Sequence, residues 1–250
     1  GKECDYLVWY TCLLWLGHTY FLLGEYEQGV LTLQKSIELF ERLGTHWGIA
    51  FGLSKMGLAL DGMGEHARAL QAHRDALAIF NRINNAAGQG FALSRMCMSA
   101  ALLGEYQLAV EYGLQACQFC EKIGHQWVIC STRCRLIFAY IGLRDIEKAK
   151  QYVASALEQS GREQMLPLIL YALGGAASIF AVQNDGQAAL ELFNYVQQHP
   201  QTPGAFLMQA ERWMEGLDEE LLQRGNATRL EKMELEEIIE WVMKRFAIRE

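Results

Sequence analysis

The feature that most constrains this chain is that it repeats. Slid along itself by 40 residues, the sequence returns one local pattern: Leu23-Gly24-Glu25-Tyr26, Met63-Gly64-Glu65-His66 and Leu103-Gly104-Glu105-Tyr106, then Leu143-Arg144-Asp145-Ile146 and Gln183-Asn184-Asp185-Gly186. A second landmark keeps the same step, at Phe40-Glu41-Arg42-Leu43-Gly44, Phe80-Asn81-Arg82-Ile83-Asn84 and Cys120-Glu121-Lys122-Ile123-Gly124. Two independent landmarks in one register, without an insertion, describe a chain built from one unit used five times. Units this short cannot bury an apolar face alone, so they must stack on one another.

Each unit reads as two helices. The first closes at the Gly-Glu-Tyr turn, where glycine supplies the left-handed conformation that ends a helix. The second begins just after it, with small residues at Gly29, Ala69, Ala109, Ala149 and Ala189, and again seven residues on at Ser36, Ala76, Ala116 and Ala156. Residues seven apart share a helical face, and small side chains there let a neighbouring helix come close. The chain holds only 3 prolines, none before residue 167, which suits long helices and excludes a β-sandwich or barrel. With 51% apolar and 20% charged residues it is not a disordered chain. A net charge of −7 argues against a direct nucleic-acid partner.

These residues resemble the tetratricopeptide repeat. The resemblance rests on a glycine such as Gly57, a turn glycine seven later at Gly64, an aromatic two further on at Tyr26 or Tyr106, and the paired small residues, and it covers 6–197. It implies an all-α, right-handed superhelical solenoid of about five to six hairpins. The 40-residue period, with the linker Phe40 to Ala50, is similar to the sensor arms of bacterial STAND-class signalling NTPases and related transcription activators. Met233 to Ile238 is similar to the short helix that often closes those arms, although Leu230-Glu231 replaces the glycine-arginine pair that usually precedes it.

Both ends depart from the pattern. Tyr6 to Leu23 is an uncharged run of 18, the lower length for a membrane span, but it falls in repeat register and contains Thr11, His18 and Thr19. It reads as a first helix that packs against something upstream. A start without methionine and without a polar capping repeat reads as a piece of a larger protein. No secretory signal is visible, so a cytoplasmic setting is expected. The domain reading is an array over 1–217, followed by a charged linker and a capping helix over 218–250. In that last segment Leu235, Ile238, Ile239, Val242 and Phe246 form an apolar stripe, and Asp218 to Arg229 reads as a flexible connection.

Catalytic chemistry is not indicated. No phosphate-binding Gly-x-x-x-x-Gly-Lys loop, His-Glu-x-x-His or Gly-x-Ser-x-Gly motif occurs, and Gly88-Gln89-Gly90 reads as a bend between hairpins. No cofactor is expected. Of the seven cysteines, Cys4, Cys12, Cys97, Cys117, Cys120, Cys130 and Cys134, an odd number without a signal peptide suggests reduced thiols. Cys117, Cys120, His125, Cys130 and Cys134 cluster across one bend in a zinc-like set. Equivalent positions in other units hold Leu77, Phe80, Ala50 and Ser54, so buried small hydrophobes explain the cysteines better, and no metal is assigned.

By the same resemblance, the first helix of each hairpin lines a concave groove. Its positions include Thr11 and His18; Phe51, Ser54, Lys55 and Leu58; Phe91, Ser94, Arg95 and Met98; Ser131, Arg135 and Phe138; and Tyr171. Lys55, Arg95 and Arg135 share one column, so an acidic or phosphorylated ligand would fit them, with Phe51, Phe91 and Phe138 giving apolar contact. Leu58 and Met98, with Ser54 and Ser94, stand where a chaperone-tail clamp would need lysine and asparagine. The expected function is a non-catalytic module that binds a peptide, protein or small acidic effector, as the sensor or interaction arm of a larger bacterial regulator. The alternatives are a freestanding scaffold, and a metal-dependent or thiol enzyme at the Cys117 to Cys134 cluster.

Overall fold

The computed structural model describes residues 2–202, 204, 209, 210, 213, 230 and 233–247, with side chains from residue 7 to 246. The first ten helices are α1 (Lys2–Leu22), α2 (Tyr26–Arg42), α3 (His46–Gly62), α4 (His66–Arg82), α5 (Ala86–Leu103), α6 (Tyr106–Ile123), α7 (Gln126–Gly142), α8 (Ile146–Arg162), α9 (Leu166–Val182) and α10 (Gly186–Gln198). A further helix, α11, spans Leu235–Ala247. No strand occurs among the described residues. The stretch Asp218 to Arg229 and the side chain of Cys4 lie outside them. Consecutive helices pair as hairpins, and the chain divides into two compact units, Gly1–Ile129 and Cys130–Glu250, the division falling inside α7.

One backbone device makes every joint. Glu25 donates its N–H to the carbonyl of Tyr20 and Gly24 to that of Phe21, at 2.9 and 3.1 Å, which satisfies two carbonyls left over at the end of α1. The first of these bonds, spanning five residues, recurs at each joint through Asp185 to Phe180, always between 2.8 and 3.0 Å. The residue in the left-handed region therefore recurs every twenty positions: glycine at 24, 44, 64, 104 and 124, then Asn84, Arg144, Gln164 and Asn184. The backbone thus repeats at half the period seen in the side chains.

Packing follows the small residues. Ala69, Ala109, Ala149 and Ala189 have no solvent exposure, nor have Ser36, Ala76, Ala116 and Ala156. Gly29 brings α2 so close that an added Cβ would lie 3.1 Å from the carbonyl of Gly17 in α1 and 3.6 Å from Ala59 in α3. Between hairpins, large and small residues complement each other. Buried Phe40 fills the space over Gly48, and Phe80 does the same over Gly88, where any Cβ would overlap the ring. At the next equivalent pair the sizes are reversed, and Cys120 packs in one cluster with Val128. In the second unit the corresponding residues are Ser160 and Leu168, both buried. The total volume at this contact is conserved while its division between helices changes.

The second unit is organised around α9. Every residue from Leu168 to Ala181 is buried, as its sequence, without a charge from Leu166 to Val182, requires of a helix that is apolar all round. Helix α11 lies against α8 and α9. It buries Ile238 and Val242, and sets Trp241 and Phe246 against Phe180 at ring separations of 5.8 and 5.5 Å. Arg245 bonds Asp185 at 2.5 Å and lies over Trp241.

Candidate ligand-binding groove

Within the first unit, the first helices of successive hairpins are neighbours, α1 with α3 and α3 with α5. The 40-residue register therefore places Trp15, Lys55 and Arg95 along one face. They line a cavity of about 290 Å³ together with Leu14, Ser54, Phe51 and Phe91. Two further walls come from residues the groove reading did not include: Trp47, in the first turn of α3, and Phe80, from the second helix α4. Phe80 belongs to one of the repeat landmarks, and its dual position, over Gly88 and at the cavity, is what the reading from first helices alone could not reach.

The cavity is aromatic in a defined way. Phe51 meets Phe80 edge to face at 5.1 Å and 74°, and Trp47 meets Phe51 at 6.3 Å and 69°. This geometry matches the ring quadrupoles and holds the side chains in fixed orientations. Trp15 and Trp47 remain 57% and 38% exposed, so two indoles stand at the solvent side. The Lys55 ammonium lies over the Trp15 ring, 4.3 Å from its centre.

The charge balance is one-sided. Among the described residues that line the cavity, Lys55 and Arg95 are charged and none is acidic. Burial, with the repulsion of Arg95, brings the Lys55 ammonium down to about 8. His18, next to Trp15 and stacked on Phe21 at 5.8 Å, is lowered to about 4 by burial and by the positive charges of Lys55 and Arg95. Its Nδ1 is buried without a hydrogen-bond partner. The nearby carboxylate of Asp61 feels the charge of Arg95 and has further partners: it accepts from Ser99 Oγ at 2.7 Å, pairs with His66 Nδ1 at 3.0 Å, and has His73 Nε2 at 3.9 Å.

Other groove positions are not brought to this surface. Thr11 donates its hydroxyl to the carbonyl of Leu7 at 2.8 Å, within its own helix. Leu58, Ser94 and Met98 are buried in the first unit. In the second unit Ser131, Phe138 and Tyr171 are buried as well. Tyr171 donates its hydroxyl to Gln209 and stands 6.0 Å from Phe138, while half-buried Arg135 lies over the Tyr171 ring at 6.0 Å.

The four cysteines between Cys117 and Cys134 are buried, whereas Cys12 is exposed. Cys120 is pushed up to about 11 by burial, the opposite of what makes a thiol nucleophilic or ready to bind metal. Burial also raises Cys134 well above the ordinary thiol range, and its Sγ donates to the carbonyl of Leu168 at 3.6 Å. Cys130 donates to the carbonyl of Ala156 at 3.7 Å, and His125 packs edge-on against Phe91 at 5.2 Å. Among the described residues no group of three or more histidine, cysteine or acidic side chains is arranged to hold a metal ion. No helix among them is long and apolar enough to cross a membrane.

Comparisons with known proteins address the fold. Residues 10–82 match the family model described as tetratricopeptide repeat. A comparison with curated proteins found no match. Among solved structures, a Rap protein complexed with competence and sporulation factor is similar at 13% identity and a TM-score of 0.66, over 96% of this chain and 64% of that one. The apo form of RapI is similar at 14% identity and a TM-score of 0.58, over 86% of this chain and 83% of that one. A STAND protein with a tetratricopeptide repeat sensor, from Pyrococcus horikoshii, is similar at 16% identity and a TM-score of 0.61, over 97% of this chain and 39% of that one. This chain therefore spans less than two thirds of the Rap protein in that complex and of the STAND chain. The match over residues 10–82 and the fold shared with these structures along almost the whole length make the fold of this chain tetratricopeptide-repeat-like, a succession of helix hairpins.

Proposed function

We propose that this chain is a non-catalytic binding array whose first-helix face takes a peptide, a protein segment or a small acidic effector. The observation that carries the reading is the cavity between α1, α3 and α5, whose described lining sets Lys55 and Arg95 among aromatic rings. A partly desolvated ammonium such as that of Lys55 is costly to a fold and useful to a ligand of opposite sign. The Rap structure, which is of a complex with competence and sporulation factor, and the STAND protein, whose repeats are named a sensor, support a receptor role on this fold. In such a role the array is the sensing arm of a larger signalling regulator, and its ligand prefers one arrangement of that regulator over another.

The experiment is a selection. A random peptide display library and a panel of acidic metabolites are screened against the wild type and against a Lys55→Ala, Arg95→Ala, Arg135→Ala variant whose helicity is intact. Ligands that bind the wild type and fail on the variant are the expected result. Ligands that bind both equally would remove the groove from the account.

A further inference from the structure

We propose that the cavity between α1, α3 and α5 is selective for an aromatic ring that carries a carboxylate, the ring entering among Phe51, Phe80, Phe91 and the two indoles and the carboxylate facing Lys55 and Arg95. This rests on the groove reading above and specifies the chemistry of its ligand.

Size sets the first limit. A volume of about 290 Å³ is at the lower end of what encloses a small ligand, which is roughly 300–1,000 Å³. It admits one ring system and a short acid arm, not a folded surface. The enclosure sets the second. The contacts of Phe51 with Phe80 and Trp47 are edge to face, so the fixed rings offer both faces and edges to a further ring at little loss of side-chain freedom. An aliphatic chain would fill the same volume without the ring contacts.

Charge sets the third. Lys55 comes from α3 and Arg95 from α5; His18 on α1 is the other titratable group beside them, and it is neutral at pH 7 because it is lowered to about 4. The buried acid Asp61 is held by Ser99 and His66 and also feels the charge of Arg95, so Lys55 is the cation on which the selection of a carboxylate rests. An entering carboxylate gives up hydration in a mostly apolar enclosure, and the Lys55 ammonium, with the Arg95 guanidinium beside it, offsets that loss for a single negative charge. A phosphate, with more charge and more oxygens to satisfy, would leave most of its acceptors against hydrocarbon. Because Lys55 is held near 8 in the empty cavity, a carboxylate beside it draws the ammonium back up, and binding at pH 8 takes up protons.

Two sources share this chemistry, a free aromatic acid and the aromatic C-terminal residue of a peptide. The test titrates the full chain by calorimetry with 3-(indol-3-yl)propionate, with its neutral primary amide, and with short peptides ending in tryptophan as free acid or as amide. Each titration is repeated on Lys55→Met and at pH 8 in two buffers of different ionisation heat. The expected result is that one of the acids binds at least about tenfold tighter than its amide, that Lys55→Met abolishes the difference, and that protons are taken up at pH 8. Tighter binding of the free acid marks a small effector, and tighter binding of the peptide acid marks a chain terminus. Equal affinity for acid and amide, an unchanged Lys55→Met, or no saturation by any of the four probes at millimolar concentration overturns the proposal. In that event, ligands from the display screen that are lost in the triple variant would leave the groove reading in place.

Discussion

Arg144 and Gln164 have φ angles of 60° and 53°, in a region that a side chain with a Cβ enters at a cost of about 1–2 kcal/mol. Arg144 stands at the joint where Gly24, Gly64 and Gly104 show what the backbone prefers, and Gln164 at the one where Gly44 and Gly124 do. Replacing either by glycine is expected to raise the unfolding free energy by about 1 kcal/mol, and Gly64→Ala to lower it by a similar amount, as read by urea denaturation. The glycines were legible as helix ends from the repeat itself. The same conformation at Arg144 was not, because its side chain carries no preference for it and only the register points there. Asp61 is a second case. Burial raises its carboxyl above the usual range, opposed by the bonds from His66 and Ser99. A raised folded value means that the native state is the better proton acceptor, so acidification from neutral pH toward about 4 should stabilise the wild type relative to Asp61→Asn. Thermal melts of both proteins across that range read the difference, from which the titration of His18 cancels. A gap that moves the other way would mean that Asp61 is held ionised by His66 and His73.

Between hairpins, the unit of packing is a pair of residues rather than a residue. Phe40 with Gly48 and Cys120 with Val128 are two solutions to one contact, so they should be exchangeable only together. Phe40→Cys alone should cost about 3 kcal/mol through the cavity it leaves, and Gly48→Val alone about 1–3 kcal/mol through overlap with the ring. The double variant should recover at least about 1 kcal/mol of the sum in a double-mutant cycle, and strict additivity would show that the two residues do not share a site. The same pairing explains how far the groove could be read in advance. Lys55, Arg95, Phe51 and Phe91 follow from the register of the first helices, and the structure brings them together at one cavity. Trp47 and Phe80 join them from a helix start and from a second helix, where no first-helix periodicity points. Leu58, Met98, Phe138 and Tyr171 share the register but are buried.

For the molecule as a whole, the period identified an array of hairpins and the comparisons show that fold. The division at Ile129 and Cys130 left no mark in the sequence, since the 40-residue step passes through α7 without a change in composition. Helix α1 leaves Val8, Trp9 and Leu16 at 64, 60 and 44% exposure, on a helix that also contributes Trp15 to the cavity. The central claim is that Lys55 is present for a ligand and not for the fold, and it can be tested without knowing the ligand. The contact with Trp15 is worth about 0.5–1 kcal/mol to the fold. Against it stands a burial and repulsion cost, evident in an ammonium brought down to about 8, of roughly 1–2 kcal/mol after allowance for the solvent that still reaches it. Because the folded value lies below the unfolded one, that cost is complete below pH 8 and fades as the pH rises from there toward 10.5. The measurement is the unfolding free energy of the ligand-free wild type and of Lys55→Met between pH 6 and 10. The account predicts that the variant is the more stable at pH 7 and that the gap closes above pH 8; a variant that is less stable throughout would make Lys55 a structural residue and contradict it.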